Sequence, residues 1–280
     1  MTGHVTSPAA ALADRLPPWA TLVRAPNPGP MTLDGTNTWV LRGPGAASAL
    51  VVDPGPLDED HLQRVAGLGP FAQILLTHGH RDHVEGAERL TELVGGVPIA
   101  AADHALCRDA LPLEAGELGG QARDADLTVT VVPTPGHTVD SVCLLVEGGL
   151  ERVVLTGDTI LGRGTTVIAT PDGDLGDYLD SLGVLREYPG VPALPGHGPA
   201  LADCAVAATF YLDHRLARLD QVRQAIANGA KTADDIVAVV YADVDRSLRA
   251  AAVWSVQAQL AYLEAENGES PSVPSGLDSP

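Results

Sequence analysis

The stretch QILLTHGHRDH, residues 73–83, joins a short apolar run to three histidines and an aspartate. The apolar run predicts a buried strand, and the histidines follow at the point where that strand ends. Imidazoles two residues apart, at His78 and His80, can bind one metal ion, while Asp82 and His83 turn toward a second one. Imidazole mixed with carboxylate suits zinc, and also iron or manganese.

Four other apolar runs end in the same manner, with Gly or Pro beside a polar residue. They cover residues 49–55, 128–137, 152–158 and 192–198, and their polar residues are Asp53, His137, Asp158 and His197. Helical spacing falls between the strands at 57–68 and 84–95. This alternation predicts a layered α/β or α+β domain. We expect strands of one sheet to bring the polar residues together along one edge.

The order of these motifs, THxHxDH, PGHT, TGD and PGHG, resembles the metallo-β-lactamase superfamily of metal-dependent hydrolases. The resemblance implies an α+β fold, the αββα metallo-β-lactamase sandwich, over about residues 20–200. It also implies a ligand set in which His78, His80 and His137 hold the first metal ion, Asp82, His83 and His197 hold the second, and Asp158 bridges both.

Two further stretches, NPGPMTLDGTNTWVL (27–41) and GDTILGRGTTVI (157–168), resemble the β-lactamase-like protein 2 group. So does the helical C-terminal segment, which in that group forms a small winged-helix-like domain. Characterised members of the group are metal-dependent endoribonucleases that act on single-stranded RNA. The resemblance further implies that Gly164, Thr165 and Thr166 line the substrate edge.

The mechanism implied by this ligand set uses a hydroxide that bridges two zinc ions and attacks an electrophilic carbonyl or phosphorus. Asp82 is the candidate catalytic residue, because it can orient the nucleophile as well as bind metal. Asp53 is expected to hydrogen-bond a ligand imidazole, although a turn-forming role is an equal alternative. Thr138 and Asp140 are candidates for orienting the loop that carries His137.

The chain divides by composition into four segments. We expect a loosely ordered N-terminal segment over 1–18, the catalytic domain over 19–203, a helical C-terminal domain over 204–267 and a disordered tail over 268–280. Helical patterns cover 205–228, 232–241 and 248–266 in the C-terminal domain. These helices are expected to wall the active-site cleft or to form a homodimer contact.

The net charge of the 280-residue chain is −19, from 17 basic and 36 acidic residues. Such a chain repels phosphate backbones and anionic membranes at long range. The six basic and eight acidic residues of 205–267 leave no electrostatic footprint for DNA, so stable DNA binding is not expected. Three scattered cysteines, no export segment and no membrane-length apolar run favour a cytoplasmic location.

The substrate stays open at the level of sequence. Family resemblance favours RNA phosphodiester cleavage. A thioester hydrolase of the glyoxalase II type shares the ligand set, and a mono-iron persulfide dioxygenase uses three of the same ligands. β-Lactamase activity is disfavoured, because the commonest zinc β-lactamases are exported and carry a cysteine where this chain has Asp158.

Overall fold

A computed structural model describes residues 16–266 and Gly268. Residues 1–15 and 269–280, which contain most of the predicted loose N-terminal segment and tail, lie outside the described residues.

The first of two sheets carries the stretch that opens the metal-ligand motif. Its strands, in spatial order, are β1 (Ala20–Arg24), β2 (Asn37–Leu41), β3 (Ala49–Val52), β4 (Phe71–Leu75) and β5 (Ile99–Ala100). β1, β2 and β3 pair antiparallel, whereas β4 lies parallel to both β3 and β5. The parallel part therefore ends with the carboxyl ends of β3 and β4 at one edge.

The second sheet carries the remaining candidate ligands. Its strands, in spatial order, are β10 (Ala193–Pro195), β9 (Glu151–Gly157), β8 (Val142–Gly148), β7 (Thr128–Pro133) and β6 (Gly116–Glu117). β9 and β10 pair in parallel, and the other neighbouring strands named here pair antiparallel.

The expectation that all ligand-bearing strands share one sheet is wrong. β3 and β4 belong to the first sheet and β7, β9 and β10 to the second. Each run alternates its buried side chains between two covered faces, so one continuous sheet and two stacked sheets give the same local pattern. Stacking brings the corresponding ends of both sheets to one end of a sandwich.

The described part of the chain contains eight α-helices. They are α1 (Glu59–Ala66), α2 (Arg81–Val84), α3 (Ala87–Leu93), α4 (Gln121–Asp124), α5 (Leu175–Leu185), α6 (Cys204–Ala227), α7 (Ala233–Val240) and α8 (Arg249–Glu266), with short 3-10 helices at His104–Leu106 and Arg246–Leu248. Asp58 caps α1 by accepting from His61 N at 2.8 Å, and Thr232 and Asp235 form a capping box on α7.

The layers follow from the alternation of side chains between the two faces of each strand. Leu50 and Val52 of β3 face the second sheet and pack with Leu144 and Leu155. Val51, between them, faces the other side and packs among residues of α1 and α3. The outer face of the second sheet packs on α5 and α6. The predicted αββα sandwich is confirmed.

The C-terminal helices share a core with the sandwich. Tyr178 and Leu182 of α5, Tyr211 of α6 and Val256 of α8 are fully buried in one hydrophobic cluster. The Tyr211 hydroxyl also donates to the Leu161 carbonyl at 3.1 Å, which ties α6 to the loop after β9. None of the helices in the described part of the chain is both long and apolar enough to cross a bilayer.

Candidate metal centre

The strand ends bring seven predicted ligands to one end of the sandwich. His78 follows β4, His80 occupies the position before the first residue of α2, and the short helix itself carries Asp82 and His83. From the second sheet come the residues after β7, β9 and β10, which are His137, Asp158 and His197. Their ligand atoms form groups within 4.8 Å of one another. A backbone hydrogen bond joins the two sheets at this end, since Asn37 N donates to Gly196 O at 2.7 Å.

Three histidines form the first group. His80 Nδ1 lies 3.1 Å from His78 Nε2 and 3.0 Å from His137 Nε2. His137 Nδ1 faces the Val167 carbonyl at 2.9 Å, which only accepts, so this nitrogen carries the hydrogen. In the neutral ring, His137 Nε2 therefore presents its lone pair to His80.

The tautomer of His78 follows from its neighbour. The Thr77 hydroxyl donates to Asp53 Oδ2 at 2.7 Å, so its oxygen accepts from His78 Nδ1 at 3.0 Å. His78 Nε2 is then a second lone pair directed at His80. Two lone pairs and His80 Nδ1 thus converge within about 3 Å, and three converging imidazole nitrogens fit a metal ion.

Asp82, His83 and His197 form the second group. His197 Nε2 lies 3.2 Å from both His83 Nε2 and Asp82 Oδ2. His83 Nδ1 donates to Asp53 Oδ2 at 2.8 Å, and His197 Nδ1 faces the Gly35 carbonyl at 3.3 Å. Both inward nitrogens are therefore free to bind a cation, together with the carboxylate.

Asp158 lies between the two groups. Its Oδ2 is 3.8 Å from His137 Nε2 and 3.3 Å from His197 Nε2, and its Oδ1 is 3.5 Å from His83 Nε2. Oδ1 is buried without a hydrogen-bond partner among the described residues. An orphaned buried carboxylate oxygen beside inward imidazole nitrogens fits a ligand shared by two cations.

Asp53 supports this arrangement through hydrogen bonds to Thr77 and His83. It is buried, and its carboxylate accepts from Thr77 N at 2.8 Å as well as from the Thr77 hydroxyl and His83. The predicted contact with an imidazole of the candidate ligand set is thus present at His83. The turn role holds too, because Asp53 has a φ of +51° immediately before Pro54.

The electrostatics differ between the two groups. Burial lowers the pKa of His78 well below its ordinary value and the pKa of His137 to about 4. Burial also disfavours the charged form of His197, but Asp158 and Asp82 outweigh it and raise the pKa of His197 to about 10. Burial of Asp82 is likewise outweighed by His197 and His83, which lower its pKa to about 2. The first group therefore offers neutral imidazoles, and the second holds a proton between its carboxylates.

A cavity of about 520 Å³ opens beside the centre and reaches the C-terminal helices. The predicted substrate-edge residues Gly164, Thr165 and Thr166 line it, together with His137 and Asp158. The hydrogen of the Thr166 hydroxyl is already donated, however, to the Asp158 carbonyl at 2.5 Å. Thr166 therefore supports a candidate ligand through the backbone.

The two candidates in the loop after His137 interact with each other. The Thr138 hydroxyl lies 2.6 Å from Asp140 Oδ1 and 2.7 Å from Ser141 Oγ, and Thr138 N donates to Ser141 Oγ at 3.2 Å. These contacts close the turn that presents His137.

Sequence reasoning missed three residues that contribute to the site. Thr36 donates its hydroxyl to Asp82 Oδ2 at 3.0 Å, and Asn27 orients Thr36 through bonds of 2.9 and 3.0 Å. Arg215, in α6, reaches the Thr166 carbonyl from the far wall of the cavity. Thr36 and Asn27 lie in the quoted stretch 27–41, whereas nothing in the helical pattern around Arg215 distinguishes it.

The sandwich thus carries at one end a cluster of histidines and aspartates that could hold metal ions. Residues 31–197 match the metallo-beta-lactamase superfamily, and residues 232–267 match the beta-lactamase associated winged helix domain. The chain belongs to the metallo-β-lactamase superfamily, whose members are generally hydrolases. The predicted family is confirmed, and so is the winged-helix-like class of the C-terminal domain, over residues 232–267.

Three similar proteins illustrate the range of relatives. A beta-lactamase-like protein 2 homolog of Drosophila melanogaster is 35% identical over 266 residues, 86% of each chain. An atrochrysone carboxyl ACP thioesterase of Aspergillus chevalieri is 31% identical over 82% of this chain and 75% of its own length. A beta-lactamase domain protein from Burkholderia ambifaria has the same fold, with a TM-score of 0.76, 24% identity, and 93% and 92% of the two chains covered.

Proposed function

We propose that the chain is a hydrolase that uses two metal ions and cleaves acyl thioesters. The convergence of imidazole lone pairs and carboxylates supports the metal centre. His78, His80 and His137 would hold one ion, Asp82, His83 and His197 the other, and Asp158 both. The donor set suits zinc and accommodates iron or manganese.

Two ions held there would supply a hydroxide from water near neutral pH and would stabilise the developing oxyanion. The protein supplies orientation. Asp53 keeps the hydrogen of His83 on Nδ1, and Thr36 fixes the direction of the Asp82 carboxylate. With its pKa lowered to about 2, Asp82 is ionised at neutral pH and can orient the attacking water by accepting its hydrogen.

The walls of the cavity support an acyl substrate. Aliphatic side chains contribute much of the lining, namely Met31, Leu33, Leu161, Val167, Val244 and Leu248. The candidate ligands His137 and Asp158 border the same space. An apolar pocket next to a nucleophile suits an acyl chain, whereas single-stranded nucleic acid stacks its bases on exposed aromatic faces. The relative named as an ACP thioesterase adds support.

RNA cleavage is the second candidate, because of the likeness to the beta-lactamase-like protein 2 homolog. The net charge of −19 opposes it. Tyr241, an aromatic residue of the cavity lining, is already covered by the Arg218 guanidinium at 4.7 Å.

The test compares both substrates with one metal-loaded preparation. Wild-type protein is assayed with a short-chain acyl thioester of N-acetylcysteamine and with end-labelled single-stranded RNA. His80→Ala is the inactive variant, and His104→Ala, which removes an exposed histidine, is the matched control. Thioester hydrolysis that is lost only in His80→Ala supports the proposal.

Three other outcomes count against it. RNA cleavage without thioester hydrolysis selects the second candidate. One iron per chain, with consumption of oxygen and a persulfide, selects a dioxygenase instead. Full thioester hydrolysis by His80→Ala would show that the reaction does not use this centre.

A further inference from the structure

The wall of the cavity opposite the candidate metal centre carries two arginines of α6. Arg215 and Arg218 are one turn apart on that helix and both line the cavity. This part of the wall is formed by the C-terminal helices, outside the stretch 31–197 that matches the superfamily. The proposed reaction assigns it no role.

Arg215 is a buried cation, with only 4% of its surface exposed. One terminal nitrogen donates to the Thr166 carbonyl, and the guanidinium carbon lies 5.3 Å from the centroid of the Tyr178 ring. Its Nε is buried without an acceptor, and no carboxylate in the described part of the chain lies within 4.0 Å of the guanidinium. Because arginine stays protonated, this charge lacks the counter-charge that a buried ion needs.

Arg218 adds a second charge without a carboxylate partner among the described residues. It is half-buried, donates to the Val240 carbonyl at 2.6 Å and to Gln221 Oε1 at 2.9 Å, and lies over the ring of Tyr241. Neutral acceptors and a ring face stabilise a guanidinium without neutralising it.

The other charged groups of the cavity wall are Arg163, Asp245 and the candidate ligands. Arg163 forms a two-pronged ion pair with Asp34. Asp245 accepts from Ser247 N at 2.8 Å and from the Ser247 hydroxyl at 2.7 Å, and these neutral donors leave its negative charge in place. The two guanidinium groups of α6 outnumber this carboxylate, so in a chain of net charge −19 the α6 side of the cavity holds a local excess of positive charge.

We propose that Arg215 and Arg218 form an anion subsite that binds a carboxylate or phosphate group of the substrate. The inference rests on the proposed function, since it assumes that the molecule cleaved at the centre occupies this cavity. The subsite is close to the centre, because the Thr166 carbonyl accepts from Arg215 while the Thr166 hydroxyl bonds the backbone of Asp158. Guanidinium groups match the paired oxygens of both anions.

Binding is tested on the metal-loaded full-length chain by calorimetric titration with succinate and, separately, with inorganic phosphate. The variants are Arg215→Met, Arg218→Met and Arg215→Lys. Arg223→Met is the matched control, because Arg223 is on the same helix but pairs with Asp220 and Glu266 at the surface. Anion binding to the metal ions is common to all the proteins and cancels in the comparison.

We expect each Met variant to lose at least tenfold in affinity for one of the two anions, and Arg215→Lys to retain part of it. Loss with succinate identifies a carboxylate, and loss with phosphate identifies a phosphate ester. If the Arg215 variants do not fold because Arg215 is buried, the affinity of Arg218→Met alone decides the test. Wild-type affinity of Arg218→Met for both anions overturns the subsite.

Kinetics with matched thioesters separate this inference from the proposed function. S-Butanoyl and S-succinyl N-acetylcysteamine differ in a terminal carboxylate, and the pantetheine thioester with and without its 4′-phosphate is the corresponding phosphate pair. We expect the wild type to prefer one anionic member about tenfold in kcat/KM and Arg218→Met to lose that preference without slowing on the neutral member. Hydrolysis with no preference in either pair refutes the subsite alone. Absence of hydrolysis refutes the thioester proposal and leaves the binding result standing.

Discussion

Replacing Asp53 by asparagine tests how the imidazole of His83 is held. The Asp53 carboxylate accepts from Thr77 N at 2.8 Å, from the Thr77 hydroxyl at 2.7 Å and from His83 Nδ1 at 2.8 Å. An amide retains the oxygen that faces Thr77 N but places an NH₂ group where the other two hydrogens are accepted. The hydrogen on His83 Nδ1 then faces a donor. The neutral ring escapes this clash by moving its hydrogen to Nε2.

That shift lowers both the metal affinity and the free energy of unfolding. A hydrogen on Nε2 removes the lone pair that faces the second group, and loss of an orienting partner lowers metal affinity about 10- to 100-fold, or about 1.4–2.8 kcal/mol. The Thr77 hydroxyl can rotate toward another acceptor. The free energy of unfolding therefore falls by the cost of one mismatched buried donor, about 1–3 kcal/mol.

Competition with a chromophoric chelator measures the affinity, and plasma mass spectrometry measures the metal content. Asp60→Asn, which changes an exposed carboxylate on α1, is the matched control. Two metal ions bound to Asp53→Asn with wild-type affinity would refute the tautomer argument.

Four other predictions concern His197, Gly196 and Thr232. Because the pKa of His197 is raised to about 10, the metal-free chain holds a proton there at pH 8, and metal binding should release about one proton per chain, measurable by calorimetry in two buffers of different ionisation enthalpy. By the same shift, His197 stabilises the metal-free chain fully below pH 6.5, and this stabilisation is lost as the pH rises toward 10. Thermal melts of the metal-free chain should therefore show a stability that falls across this range. A constant stability would show that the pairing of His197 with Asp158 is absent. Gly196→Ala would place a methyl group 2.6 Å from Asp158 Oδ1, so metal content should fall, and full metal content would contradict the packing described. Thr232→Ala removes the capping box of α7 and should lower stability by about 1 kcal/mol, as measured by urea unfolding; an unchanged midpoint would contradict this role for the cap.

Much of the centre could be predicted from the sequence because its residues follow strands at recognisable turns. His78, His80, Asp82 and His83 lie within six residues of one another, so their proximity is a local property. The helices were predicted closely for the same reason. The pattern over 205–228 corresponds to α6 (Cys204–Ala227), which ends just before Gly229.

The sequence by itself thus determined the residue types, their order and their positions at strand ends, since period, turn chemistry and capping are local. Only the tertiary structure decided that the ligands come from two stacked sheets and that His83 and His197, 114 residues apart, face each other. It also decided that Arg215, on an alanine-rich helix, borders the same cavity as the candidate metal centre. Such contacts depend on which faces pack together, and an apolar face does not specify its partner.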